Sequence, residues 1–97
     1  MLLRQLEIDG KKYTLGEATS GAVEEAQDVL GTEGTSEKEK IAAMRRFISH
    51  CLTRGGLPID ADALAQQFTV TEIAFLFRNA TQVSGLRDVP QGEVLRP

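Results

Sequence analysis

His50 and Cys51 are the residues whose types come nearest to a catalytic pair, since a histidine can activate a cysteine thiol. They are adjacent in the sequence, and neighbours on a helix point about 100° apart, so the two side chains cannot meet. Cys51 also falls on the apolar side of a predicted helix, where a free thiol packs as a small hydrophobic group. We therefore predict a core position for Cys51 and a surface or boundary position for His50.

Residues that could ligate a metal or cradle a phosphate are too few for either kind of site. Structural zinc uses four ligands of the Cys and His type, and the chain has one of each. Asp60 and Asp62 resemble the start of a calcium loop, but the later glycine and glutamate of that loop are missing, and Asp60 is better placed to cap a helix. No GxGxxG or GxxxxGK[ST] pattern occurs. We predict no catalytic residue, no metal and no cofactor, and hence no enzyme.

Composition favours one small folded domain. The chain has 97 residues, of which 41% are hydrophobic and 26% charged, and its net charge is −3. An acidic surface disfavours binding to nucleic acid and to anionic membranes, because both need basic groups for phosphates. The single cysteine excludes an internal disulfide, and the start lacks the basic flank and apolar run of a signal peptide. We expect a cytoplasmic protein.

Residues 2–15 predict a β-hairpin around Asp9-Gly10, a pair typical of two-residue type I′ turns. If Ile8 pairs with Lys11, one face carries Leu6 opposite Tyr13 and is mainly apolar, whereas the other face is polar. A lone hairpin is marginal in water, so the apolar face must rest on helices and the strand edges remain open to a partner.

Helical spacing of apolar residues predicts four further elements, at about 20–30, 36–54, 60–67 and 70–84. Ser36 with Glu39 and Thr69 with Glu72 form capping-box patterns at two of the starts. The fold class is therefore α+β and mostly helical, an N-terminal β-hairpin followed by a bundle of about four helices. Residues 1–85 form the single domain, and 86–97, with two prolines and no helical period, are predicted to be an extended or mobile tail. The apolar stripe of the 36–54 helix is predicted to hold the following residues: Ile41, Met44, Ile48, Cys51 and Leu52.

A helix-turn-helix reading of residues 63–78 is the main alternative of a different class. Its turn would carry Thr69 where a glycine is common, and its recognition helix would offer only Arg78 as a basic side chain. A reading helix needs polar groups for base edges and basic groups for phosphates. DNA binding is therefore the weaker interpretation.

Residues 6–15, LEIDGKKYTL, and residues 16–26, GEATSGAVEEA, resemble the opening of the tail assembly chaperones of long-tailed bacteriophages. In that family an I-D-G-x-x-Y/V-x-L hairpin leads into an E-x-T-x-G-x-x-x-x-A helix start and a small helical domain. The helical remainder to about residue 85 is compatible in length and layout, and the segment beyond it has no counterpart in the resemblance.

The resemblance implies a non-catalytic factor of the host cytoplasm that binds tail-tube or tape-measure protein and prevents its early polymerisation during tail assembly. It implies no catalytic residue. The alternative is a small cytoplasmic interaction or adaptor domain that is unrelated to phage tails.

Phe75 is the residue most suited to contact a partner. On a helix of 100° per residue it lies opposite the apolar side formed by Ile73 and Leu76, and beside Arg78. Aromatic and arginine side chains dominate binding hot spots, so Phe75 and Arg78 are the predicted anchors for a protein partner or a second copy of this chain. The other interpretation is that Phe75 is a single exposed apolar residue of the kind that is normal on protein surfaces, or that it packs under the hairpin or the tail.

Overall fold

An N-terminal β-hairpin precedes four α-helices in the computed structural model, which describes residues 1–85. This confirms the predicted α+β, mostly helical architecture; the predicted tail at 86–97 lies outside the described residues. Two predicted helix starts are one residue early, because Ser36 and Asp60 are N-caps with extended backbone. The elements are β1 (Leu3–Ile8), β2 (Lys11–Gly16), α1 (Ser20–Leu30), α2 (Glu37–Arg54), α3 (Ala61–Gln67) and α4 (Val70–Val83).

The hairpin has the predicted register. Ile8 pairs with Lys11 and Leu6 with Tyr13 in an antiparallel two-stranded sheet. Asp9 and Gly10 both have positive φ, at 50° and 80°, as a type I′ turn requires. Alternation of exposed and half-buried residues along β1 shows that one face of the hairpin lies on the helices.

Side-chain caps begin every helix. The Asp60 carboxylate accepts a hydrogen bond from the Ala63 N–H at 2.8 Å. At α4 the capping box is complete, because the Thr69 hydroxyl accepts from the Glu72 N–H and the Glu72 carboxylate accepts from the Thr69 N–H. These bonds satisfy donors that a helix start otherwise leaves without a partner.

The long helix α2 lies at the centre of the molecule and packs against α1, α3, α4 and β2. The buried face of α2 is wider than the predicted apolar stripe. Phe47, absent from the predicted stripe, is 3% exposed, whereas Ile41, which the stripe included, is only half-buried. The reason is that neighbours on several sides widen the apolar arc beyond one helical stripe. The core comprises Leu15, Ala26, Phe47, Ile48, Cys51, Leu52, Leu64, Ile73, Leu76, Ala80 and Val83.

The end of α2 crosses the end of β2 at backbone contact distance. A Cβ on Gly55 would lie 2.1 Å from the Thr14 carbonyl oxygen, and one on Gly16 would lie 2.8 Å from the Arg54 carbonyl carbon. Two glycines at one crossing therefore let the hairpin reach the helices.

Candidate interaction surface

Cys51 is a core residue, as predicted. Its side chain is 0% exposed, and burial raises the pKa of its thiol to about 11, although the neighbouring Ser84 hydroxyl and Arg54 act in the opposite direction. A thiolate is the reactive form of cysteine, so this position is unsuited to a nucleophile at neutral pH.

His50 occupies the predicted boundary position but has a structural partner that the sequence did not indicate. Its Nε2 accepts a hydrogen bond from the Thr19 N–H at 3.1 Å, and Thr19 is itself the N-cap of α1. Burial and the charge of Arg54 lower the pKa of His50. The contact joins residues far apart in sequence, so no local pattern signals it.

Asp60 is the N-cap of α3, as predicted, and Asp62 lies in the first turn of that helix, where an acidic side chain favours the helix dipole. Within residues 1–85 no group of three or more His, Cys, Asp or Glu side chains is placed to hold a metal ion. No helix of that part of the chain is long and apolar enough to cross a membrane.

The outward side of α4 carries the predicted anchors, Phe75 and Arg78. Phe75 is 36% exposed, and Arg78, one helical turn further on, is also exposed. The Arg78 side chain has neither an ion pair nor a hydrogen bond among the described residues. We call Val70, Thr71, Ala74, Phe75 and Arg78, all exposed, the outer α4 surface.

The exposed surface on one flank of α4 is smaller than the helical projection indicates. Asn79 and Gln82 fall beside Phe75 in the projection, yet both are half-buried. Their side-chain oxygens accept hydrogen bonds from the Arg4 guanidinium of β1, at 3.2 Å for Asn79. The hairpin thus covers the Asn79 flank, and the exposed surface extends from Phe75 towards Val70 instead.

An apolar groove of about 420 Å³ opens on the other flank of α4. Its floor is the edge-to-face pair of Phe47 and Phe77, whose ring centroids lie 5.7 Å apart. Leu30 of α1 and Thr81 of α4 form its walls. Helical periodicity did not indicate this groove, because the predicted apolar stripe of the 36–54 helix did not include Phe47.

The helix pair that suggested DNA binding is not packed as a unit. The backbone of α3 approaches α2, whereas no Cα of α3 lies within 8 Å of a Cα of α4. In a helix-turn-helix the first helix supports the second. The arrangement therefore gives the DNA-binding interpretation no added support.

Comparison of the chain with known protein families, with curated proteins and with solved structures found no match in any of the three.

Proposed function

We propose that this chain is a non-catalytic protein-binding factor of the tail assembly chaperone type, which holds a tail-tube or tape-measure protein during phage tail assembly. The observation that carries the proposal is the segment from Ile8 to Ala26, whose hairpin and helix start resemble the opening of that family. An acidic chain in which the one cysteine packs in the core and the one histidine accepts a hydrogen bond from the Thr19 N–H is compatible with binding rather than catalysis.

The outer α4 surface is the proposed contact for the partner. Phe75 offers an aromatic side chain and Arg78, one turn away, a guanidinium that has no ion pair within residues 1–85, a combination that is typical of interface hot spots. Val70, 65% exposed, extends the same surface along the helix. A partner with an apolar patch and an acidic group beside it suits these side chains.

The test begins with the genes that flank this one. We expect them to encode a major tail protein and a long tape-measure protein, and we would co-express each with this chain. The result in favour is a complex in which the tail protein stays unpolymerised. Flanking genes unrelated to tails, or tail proteins that neither bind this chain nor change their polymerisation, would overturn the proposal.

Phe75→Ser tests the surface within that complex. We expect association to weaken by about 1–3 kcal/mol, with the melting temperature of the free chain unchanged. Thr71→Ser, on the same exposed surface, is the matched control and should bind normally. A Phe75→Ser variant that melts much lower yet associates normally once folded would show that Phe75 belongs to the core.

A further inference from the structure

The outer edge of β1 presents backbone groups that β2 does not use. In a two-residue hairpin the closing pair, here Ile8 and Lys11, exchanges both hydrogen bonds, and every second pair repeats the pattern. The Glu17 N–H donates to the Leu2 carbonyl at 2.8 Å, so Leu2 and Glu17 continue the same series of hydrogen-bonded pairs. The N–H and C=O groups of the intervening residues therefore point away from β2; these residues are Leu3, Gln5 and Glu7.

The outer edge of β2 is not available in the same way. Its Thr14 carbonyl and Gly16 N–H lie against Gly55 at the end of α2, so that a Cβ on Gly55 would collide with the Thr14 carbonyl oxygen at 2.1 Å and lie 3.2 Å from the Gly16 nitrogen. The end of α2 therefore covers the C-terminal end of that edge, at Thr14 and Gly16. Within residues 1–85, β1 therefore has the more open edge for a strand that adds to this sheet.

Side chains along β1 leave its edge accessible. Among the described elements β1 contacts β2 and α4, and α4 lies under its inner face, where Arg4 meets Asn79. Gln5 and Glu7 are exposed. Leu2 and Leu3, at the start of the strand, are 63% and 58% exposed, so apolar surface adjoins the free backbone groups.

We propose that β1 pairs antiparallel with β1 of a second copy, about a twofold axis at Gln5, to form a four-stranded sheet. In this register Leu3 lies opposite Glu7 of the second copy and Gln5 opposite Gln5. Each of these pairs exchanges two backbone hydrogen bonds, because all its outward groups face the other strand.

The side chains select this register over its neighbours. It places Arg4 opposite Leu6 of the second copy and Leu2 opposite Ile8, so no like charges oppose each other and exposed leucine is covered. A shift of one step towards the strand start would place Arg4 directly opposite Arg4. A shift in the other direction would leave Leu3 without a hydrogen-bonded partner. The edge is therefore self-complementary in one register, which favours a second copy over an unrelated strand.

Cysteine cross-linking in the full chain tests the register. At the twofold axis Gln5→Cys meets its own copy with Cα atoms about 5.5 Å apart, a distance that a disulfide accepts. Leu3→Cys is the matched control, since the two copies of residue 3 would lie about 14 Å apart. Leu3→Cys mixed with Glu7→Cys should again cross-link. Cys51, 0% exposed, does not compete.

A proline at Gln5 tests the backbone pairing itself. The Gln5 N–H points outward, so Gln5→Pro spares the bonds to β2 while it removes a donor at the centre of the dimer. By sedimentation equilibrium we expect the dissociation constant to rise about tenfold or more, and Gln5→Thr, which keeps the N–H, to dimerise as the natural chain does.

The proposal is overturned if the natural chain stays monomeric to millimolar concentration, or if Gln5→Pro keeps both its melting temperature and its dimerisation. It is also overturned if Leu3→Cys cross-links alone as readily as Gln5→Cys. These outcomes are independent of whether the chain binds a tail protein.

Discussion

The hydrogen bond between His50 and Thr19 links two helices through one imidazole nitrogen. Nε2 must be unprotonated to accept from the Thr19 N–H, so the neutral ring carries its proton on Nδ1. Glu25 and Arg46 line the same small groove between α1 and α2 and form an ion pair across it at 3.7 Å. Protonation of His50 would therefore remove an acceptor beside the N-cap of α1 and add a charge near Arg54 and Arg46.

We expect the free energy of unfolding to fall as the pH is lowered below about 6.5. Burial, then Arg54, lowers the pKa of His50 in the folded chain below its ordinary value of 6.5. Between pH 6.5 and the lower pKa of the folded chain, the unfolded chain binds a proton at His50 that the folded chain does not. The stability that the neutral His50 ring contributes is therefore fully present above pH 6.5 and is lost as the pH falls towards the folded pKa. Urea unfolding on both sides of pH 6.5 measures the effect.

His50→Gln is the control for this pH dependence, because glutamine can accept a hydrogen bond and does not titrate. Its stability should vary less between neutral pH and the onset of carboxylate titration. Equal pH profiles for the natural chain and His50→Gln would show that His50 does not contribute.

At the scale of single elements, the hairpin is defined by its own sequence. The type I′ turn positions Leu6 and Tyr13 on the face that packs on the helices, and Tyr13 then meets the Phe68 ring edge-to-face at 5.5 Å. A slip of one residue would turn that whole face to solvent. The turn residues therefore determine whether the hairpin docks at all.

Gly10→Val should destabilise the protein by about 1–3 kcal/mol, the range for a strained backbone conformation. Gly10 has a φ of 80° and open space around it, so backbone strain, and not a collision, is the cause. Asp9→Asn, which suits a type I′ turn, should melt as the natural chain does. If Gly10→Val melted at the same temperature, the residue would not need its positive φ.

At the scale of the whole molecule, local patterns predicted the elements and missed the contacts that join them. The Asp9-Gly10 turn and the Thr69 capping box depend on residues a few positions apart, so the sequence indicates both directly. Phe47 in the core and the Arg4 bonds to Asn79 depend on how α2 and the hairpin are packed, which no local period encodes.

The candidate interaction surface was likewise predicted where it depends on a local pattern and missed where it depends on packing between elements. Helical projection placed Phe75 and Arg78 on the outside of α4, and both are exposed there. The sequence predicted open strand edges without indicating which strand would be free, because the difference depends on Gly55, which lies against the Thr14 and Gly16 end of β2 and leaves β1 the more open strand in the described part of the chain. No composition or spacing rule marks two glycines 39 positions apart, Gly16 and Gly55, as contacts of one another.

Gly55→Ala tests whether that crossing holds the hairpin on the helices. Gly55 has a φ of −82°, which alanine adopts readily, so the expected penalty is steric alone. The new Cβ would lie 2.1 Å from the Thr14 carbonyl oxygen, and β2 must move away from α2 to relieve the collision. We expect a loss of about 1–3 kcal/mol, typical of overpacking, in chemical unfolding. Gly21→Ala, with nothing within 4 Å of its new Cβ, should cost nothing. Equal stability of Gly55→Ala and the natural chain would mean that β2 and α2 do not cross in backbone contact.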